Sequence, residues 1–236
     1  MNLERLQSRS LSLPRAVSTA MRDSLRRDPT KALRYGQLVE HLADWMTKAY
    51  ALGYRKRPGG RLTRESLAAK RAEYKRQARQ VLTGYQVSAN AELKQTYKQA
   101  RARKRTHRQA TQLVLRRFRT LGMDAPASNR MASLYYTATN AAYNQGVWDS
   151  DRLDPAIWGF RYLTAGDDRV RNPTHTQYHG VTLPKEHPFW QRTWPPIDWR
   201  CRCRIKSLKR KQKIVLPPPN PVPIESGFQG QSFELR

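Results

Sequence analysis

The stretch from Thr164 to Ile205 constrains this chain most, because it concentrates residue types that are rare elsewhere in the sequence. It holds both cysteines, three of the five histidines, three of the six tryptophans and a Pro-Pro pair. Such side chains are large, rigid or chemically specific, and a short segment that gathers them favours one defined structure over an open linker. The sequence therefore predicts a small specified module here, preceded by helical segments and followed by a tail.

The chain as a whole is strongly basic. Its 236 residues include 45 Lys and Arg against 18 Asp and Glu, which gives a net charge of +27. Such an excess repels itself and favours a polyanionic partner. Nucleic acid is the first candidate and an acidic protein surface is the second. An anionic membrane surface is the third, and no membrane span is expected, because no apolar run approaches the roughly 20 residues that cross a bilayer.

The apolar content allows only a modest core. Hydrophobic residues make up 38% of the chain, below the usual share of about 45–50%. We therefore expect a mainly α chain with a small α+β C-terminal module, long basic helices, an N-terminal arm and an extended proline-rich tail. The expected division is an arm (1–30), a basic helical region (31–128), the module (129–208) and the tail (209–236). Both the arm and the tail are expected to become ordered only on a partner.

Two helical segments are predicted before the module. Residues 31–52 show apolar side chains at three- and four-residue steps, as in an amphipathic helix. Residues 62–121 are predicted to form one long helix or a helical hairpin, with Thr63 as N-cap and a break near Gly84.

The second half of this segment lacks acidic residues from Leu93 to Met123. A solvated helical face normally mixes charges to gain i,i+4 ion pairs, and this one does not. We therefore expect DNA or an acidic partner to contact its ten basic residues, which are Lys94, Lys98, Arg101, Arg103, Lys104, Arg105, Arg108, Arg116, Arg117 and Arg119.

The module is predicted to begin with a helix over about 129–147, ended by Gly146. Alternating residues predict strands at 157–163 and 201–208. The prolines after Lys209 exclude a helix and predict a tail like polyproline II.

Cys201 and Cys203 suit a metal site better than a disulfide, because neighbours at i and i+2 make a poor disulfide. On one strand both thiols would point to the same face. With His175 and His179 or His187 they have the ligand types of a tetrahedral zinc site, although the spacing is not that of a standard finger. The alternative is a pair of small buried thiols beneath Trp199.

A second group joins acidic, basic and imidazole side chains. Such a group could bind a metal or phosphate, or run acid–base chemistry. It could equally be a salt-bridge network that fixes a loop. Its members are Asp167, Asp168, Arg169, Arg171, His175 and His179.

A third group consists of aromatic rings and prolines. Interleaved with Arg192, Arg200 and Arg202, these rings could stack on bases. In a small domain poor in aliphatic residues, we expect them to form the core instead. They are Phe189, Trp190, Trp194, Pro195, Pro196 and Trp199.

These residues, in this order, resemble the phage Mu F-type minor head protein (head morphogenesis) family. The resemblance covers roughly residues 130–208. It rests on 164–171 (TAGDDRVR), His175, Gly180, 188–190 (PFW), Pro195-Pro196, Trp199 and 201–204 (CRCR). The helix upstream contributes Tyr136-Thr137, Asn140, 142–144 (AYN) and Gly146.

The resemblance implies a minor capsid protein of a tailed phage, assembled in the host cytoplasm and located inside the virion head near the portal. Its expected partners are the major capsid protein, the portal protein and the phage double-stranded DNA, in capsid assembly and DNA packaging or delivery. The family offers no catalytic residues to carry over, so we expect no enzyme. Two alternatives stay open, which are a metal-dependent nuclease or toxin using Asp167, Asp168, His175 and His179, and a stand-alone basic DNA-binding protein.

Overall fold

The computed structural model describes residues 12–30, 36–54, 62–121, 129–166, 170 and 173–224. Within these ranges the chain is mainly α, with a small antiparallel sheet in its C-terminal part, so the predicted fold class is confirmed. The long helices are α1 (Ser12–Arg27), α2 (Gly36–Gly53), α3 (Arg64–Ala102), α4 (His107–Thr120) and α5 (Asn129–Asp151).

Helix α1 belongs to the helical core rather than to a free arm. Met21 and Leu25 are buried in the cluster formed by the other helices, and α1 contacts both α2 and α4. The expectation that residues 1–30 order only on a partner is therefore wrong for this helix, while residues 1–11 lie outside the described part. Pro14 interrupts the apolar stripe of this segment, yet proline is tolerated in the first turn of a helix.

Helices α3 and α4 form a hairpin, and the predicted break near Gly84 is wrong. Helix α3 runs through Gly84, and the chain turns at residues 103–106, where Lys104 has a φ of 55°. One glycine costs a helix only about 1 kcal/mol relative to alanine. A new capping box is the stronger signal, and here Thr106 caps α4 with Gln109. The predicted N-cap of α3 is confirmed, because Thr63 accepts a hydrogen bond from the Ser66 amide at 3.1 Å.

Helix α5 continues through Gly146 to Asp151, so the predicted end at Gly146 is wrong. Gly146 is buried where α5 crosses α2, and a Cβ there would collide with the backbone oxygen of Tyr50. On the other side of the crossing, a Cβ at Gly53 would collide with the backbone oxygen of Tyr143. These glycines therefore permit two helix backbones to pack closely.

The C-terminal sheet has the order β2-β1-β3, with both pairs antiparallel. The first predicted strand is confirmed as β1 (Gly159–Leu163), while the second begins later than predicted, as β3 (Arg204–Leu208). The short strand β2 was not predicted, because three residues carry no readable alternation. The remaining elements are a 3-10 helix (Thr176–Tyr178), β2 (Thr182–Pro184) and α6 (Phe189–Thr193).

Aromatic rings form the core of this part, as expected. Phe160 lies edge-on to Trp190 and Trp194, with ring centroids 5.6 and 5.1 Å apart, and Trp148 contacts Trp194 at 4.8 Å. Trp190 and Trp194 are buried, whereas Trp199 is half-buried and packs against both this core and the helical core. The buried rings therefore supply packing rather than a surface for bases.

The tail lacks helix as predicted, but as far as residue 224 it folds back onto the module. Val215 pairs with Thr182, Val222 exchanges two hydrogen bonds with Gln177, and Ile224 is buried. The expectation that the tail orders only on a partner is wrong for this part, and residues 225–236 lie outside the described ranges. Among the helices of the described ranges, none is both long and apolar enough to cross a membrane.

Candidate metal centre and basic hairpin

Polar residues on α5 hold the loop that carries the cysteines. We call residues 194–203, between α6 and β3, the cysteine loop. The side-chain amide of Asn140 donates to the backbone oxygen of Cys201 at 2.7 Å, and Thr137 accepts from the Arg200 amide at 2.9 Å. Both side chains are buried, so these bonds fix the loop on the helix away from water. The loop is anchored again where the Trp194 indole donates to the backbone oxygen of Asn144 at 3.0 Å.

The cysteine loop meets His175 inside the module. The ligand atoms of His175, Cys201 and Cys203 all lie within 4.8 Å of one another. The Nδ1 atom of His175 is 3.2 Å from the Cys203 sulfur. All three side chains are buried, with exposures of 4%, 3% and 1%. The two thiols come together although Cys201 and Cys203 precede β3 rather than lying within it.

Two further buried groups border this cluster. Asp198 Oδ2 lies 3.7 Å from His175 Nε2, and Asp198 Oδ1 accepts a hydrogen bond from the Trp199 amide at 2.6 Å. The hydroxyl of Tyr162 is fully buried beside both thiols and interacts with the Cys203 sulfur. The cluster therefore has the Asp198 carboxyl group on its imidazole side and the Tyr162 hydroxyl on its thiol side.

The surroundings shift the pKa values of these groups in different directions. Burial raises the pKa of the Cys201 thiol well above its ordinary value, whereas a hydrogen bond from Cys201 lowers the pKa of Cys203. Burial lowers the pKa of His175, but the Cys201 thiol and the Asp198 carboxylate outweigh it, so the net pKa is raised. Burial, together with the two thiols, raises the pKa of Tyr162.

The other histidines proposed as ligands lie elsewhere. His179 is exposed, and its Nδ1 accepts from the Thr164 amide at 3.2 Å and lies 2.8 Å from the Thr164 hydroxyl oxygen. His187 accepts from the Phe189 amide at 3.2 Å. Neither belongs to the His175 cluster, so the structure brings together three of the four residues predicted as metal ligands and does not bring His179 to them.

Some of the remaining motif residues have structural roles, and others lie outside the residues that the structure describes. Gly180 has a φ of 82°, in the left-handed region that favours glycine, and its amide donates to the backbone oxygen of Tyr162 at 2.9 Å. The Trp190 indole donates to the backbone oxygen of Pro184 at 2.9 Å, and the peptide bond between Pro195 and Pro196 is cis. The residues Asp167, Asp168, Arg169 and Arg171 lie outside the described part of the chain.

The basic residues predicted to contact an anionic partner lie along the α3–α4 hairpin. We call residues 94–119 the basic hairpin, and all ten predicted side chains on it are exposed. Glu92 lies just before the basic hairpin, and its carboxylate accepts a hydrogen bond from Arg117 Nε at 2.8 Å. A groove of about 440 Å³ runs between the two helices, and its basic lining residues are Arg103, Arg105, Arg116 and Arg117.

Sequence reasoning missed the residues that support the cluster. Thr137, Asn140 and Asn144 are polar residues at helical spacing on a buried face, and that exception to an apolar stripe was a readable signal. Asp198 and Tyr162 gave no comparable signal, because only the fold brings them beside Cys201 and Cys203.

Comparison with known proteins identifies relatives of this chain. A family model described as "Phage Mu protein F like protein" matches residues 23–206. The "Putative capsid assembly protein F" of Escherichia phage Mu is 31% identical over 80 residues, which are 34% of this chain and 18% of that protein. The "Mu-like prophage FluMu F protein" of Haemophilus influenzae is 41% identical over 73 residues, which are 30% of this chain and 16% of that protein. The chain therefore covers less than one fifth of the length of these two relatives, and no solved structure shows significant similarity to it.

Proposed function

The chain belongs to the Phage Mu protein F like family, and from this premise we propose that it is a minor capsid protein acting in phage head morphogenesis. One matching relative is itself described as a putative capsid assembly protein. In this proposal the chain lies inside the head near the portal, where it contacts the major capsid protein or the portal protein and the packaged DNA. The chain is incorporated while the head assembles in the host cytoplasm. It takes part in capsid assembly and in DNA packaging or delivery.

The proposed DNA contact rests on the basic hairpin. Its ten Lys and Arg side chains are exposed along two antiparallel helices, and residues 93–121 include no acidic side chain. Closely spaced cations of this kind bind phosphates by releasing condensed counterions, without reading bases. At the turn, the Arg101 guanidinium donates to the backbone oxygen of Arg105 at 2.7 Å, which fixes the shape of the exposed tip.

The proposed role is binding rather than catalysis. The nuclease alternative combines Asp167, Asp168, His175 and His179, yet His179 bonds to Thr164 and does not join the His175 cluster. His175 itself is buried against Cys203, where a nucleic-acid substrate has no access. These positions support a structural role for the module.

The DNA contact is tested by salt-dependent binding to duplexes of unrelated sequence. We expect similar affinities for all duplexes and a linear fall of log K with log salt. The triple variant Arg103→Gln, Lys104→Gln, Arg105→Gln should lower the magnitude of that slope by up to about 2.7, because each phosphate that a cation neutralises contributes about 0.9 to it.

The matched control also removes three positive charges, but from the tail, in the variant Lys209→Gln, Arg210→Gln, Lys211→Gln. Those residues are also exposed, so their replacement should leave the slope nearly unchanged. Equal effects of the two variants, or binding insensitive to salt, would contradict a DNA site on the hairpin.

The capsid assignment has a separate test. Mass spectrometry of purified phage heads should detect the chain, and crosslinking in intact heads should join it to the portal or major capsid protein. Its absence from purified heads would overturn the proposed function, whatever the DNA measurements give.

A further inference from the structure

We propose that His175, Cys201 and Cys203 bind one structural Zn²⁺ that holds the cysteine loop against the start of the 3-10 helix. The proposal is independent of the DNA contact, because the cluster is buried in the module and the basic hairpin lies on other helices.

The donor types and their separations fit zinc. Zinc in proteins prefers thiolate and imidazole ligands in a tetrahedron, and bond lengths of about 2.3 and 2.0 Å place such donors about 3.6–3.8 Å apart. Here the three donor atoms lie within 4.8 Å of one another, and His175 Nδ1 is 3.2 Å from the Cys203 sulfur. To reach these separations, the nitrogen–sulfur pair would open by a few tenths of an ångström and the widest donor pair would close by up to about 1 Å.

The polar surroundings are those that a metal-bound imidazole requires. A histidine that ligates through one nitrogen usually presents its other ring N–H to a carboxylate or carbonyl. His175 turns Nδ1 to the thiols and Nε2 to the Asp198 carboxylate, and Nε2 is buried without a hydrogen bond in the described part of the chain. Asp198 is itself held by the Trp199 amide. The arrangement therefore places a carboxylate opposite Nε2, where it would accept the ring N–H of a metal-bound imidazole.

The fourth position faces Tyr162 or a water molecule. The Tyr162 hydroxyl is buried beside both thiols and interacts with the Cys203 sulfur. Either this oxygen or a water beside it completes four-coordination, and the Tyr162→Phe variant distinguishes the two.

A metal also explains why two cysteines are buried with a histidine and a carboxylate. Two thiols that served only to fill space would pack equally well against apolar neighbours, and the buried imidazole and carboxylate would each cost desolvation energy. Soft thiolate ligands select zinc over magnesium or calcium. Bound zinc would join residues 173–178 to the cysteine loop, which α5 already holds through Asn140 and Thr137.

The proposal is tested on the full-length chain produced with zinc in the medium. Elemental analysis should find about one Zn²⁺ per chain, and a chelator with a thiol-specific mercurial should release it. Exchange for Co²⁺ should give the intense thiolate-to-cobalt absorption of a tetrahedral site. Chelation should also lower Tm.

Variants locate the ligands. Cys203→Ser and His175→Ala should each lose most of the bound metal, whereas His179→Ala should keep it, because His179 lies outside the cluster. Tyr162→Phe should keep the metal and change the Co²⁺ spectrum only if its oxygen is the fourth ligand. If the ligand variants do not fold, the wild-type measurements decide alone, since a wild type without zinc and without the Co²⁺ absorption overturns the proposal.

Discussion

Two buried side chains of α5 form hydrogen bonds that connect the family motif in this helix to the motif around the cysteines. Thr137 and Asn140 bond to backbone atoms of Arg200 and Cys201, which lie far along the chain. A buried backbone oxygen that loses its donor costs about 1–3 kcal/mol, more than an average hydrogen bond contributes. These contacts give a physical reason for two short motifs, separated in sequence by β1 and β2, to occur in the same chain.

Asn140→Ala is therefore expected to lower the free energy of unfolding by about 1–3 kcal/mol. The variant leaves the buried backbone oxygen of Cys201 without its donor at 2.7 Å. Urea denaturation monitored by tryptophan fluorescence measures the change.

Gln145→Ala is the matched control on the same helix. Gln145 also donates a side-chain amide bond, to Asp149 at 2.8 Å, but this i,i+4 pair is only part-buried. Such pairs contribute about 0.2–0.5 kcal/mol. A loss of stability in Gln145→Ala as large as that in Asn140→Ala would show that the Cys201 contact has no special weight.

At the scale of elements, the crossing of α2 and α5 determines how the helical core meets the module. Helix α5 contributes Tyr135 and Ala138 to the helical core and Val147 and Trp148 to the aromatic core. Its close approach to α2 depends on Gly53 and Gly146, which face backbone atoms of the opposite helix. A shift at this crossing would move both cores.

Gly146→Ala is expected to destabilise the chain, by about 1–3 kcal/mol, the usual cost of overpacking. The added methyl group meets backbone atoms of Tyr50 and Tyr54, which cannot turn away as a side chain can. Thermal unfolding followed by circular dichroism measures the change.

The chain offers a control in Gly84, which is also inside a helix. A Cβ there meets nothing within 4 Å. Gly84→Ala should therefore be neutral or stabilising, by up to about 1 kcal/mol, because alanine has the higher helix propensity. If both substitutions stabilise the chain, the close crossing of α2 and α5 is not a constraint.

At the scale of the whole molecule, charge repulsion opposes the compact state. Arg71 pairs with Asp44 at 2.6 Å and with Glu40 at 3.0 Å, but these side chains are 41–45% exposed. Exposed pairs contribute only about 0–1 kcal/mol each. With 45 basic residues against 18 acidic ones, repulsion is expected to exceed the attraction of these pairs.

Salt should therefore stabilise this protein. Raising NaCl from about 0.1 M to about 1 M shortens the Debye length from about 10 Å to about 3 Å and screens the repulsion. We expect Tm to rise, and to rise less in the Arg103→Gln, Lys104→Gln, Arg105→Gln variant, whose positive charge is lower by three. A fall of Tm with salt would mean that ion pairs such as those of Arg71 dominate instead.

Much of the fold could be predicted from local patterns. Apolar periodicity indicated α2 and α5, alternation indicated β1, and Thr63 indicated the start of α3, because each signal acts over a few neighbouring residues. The boundaries that failed, at Gly84 and Gly146, are glycines whose role depends on what lies opposite them. Near Gly84 there is open space, and against Gly146 there is another helix backbone.

The sequence by itself determined the helical class, the run of basic residues without acidic ones and the residue types of the candidate site, since composition and spacing act locally or through total charge. Only the tertiary structure decided which residues meet. It brought His175 to Cys201 and Cys203, left His179 with Thr164 and placed Asp198 behind the imidazole. It also returned the tail to the module through Val215. These contacts join residues distant in the chain, and their partners are set by packing geometry rather than by spacing in the sequence.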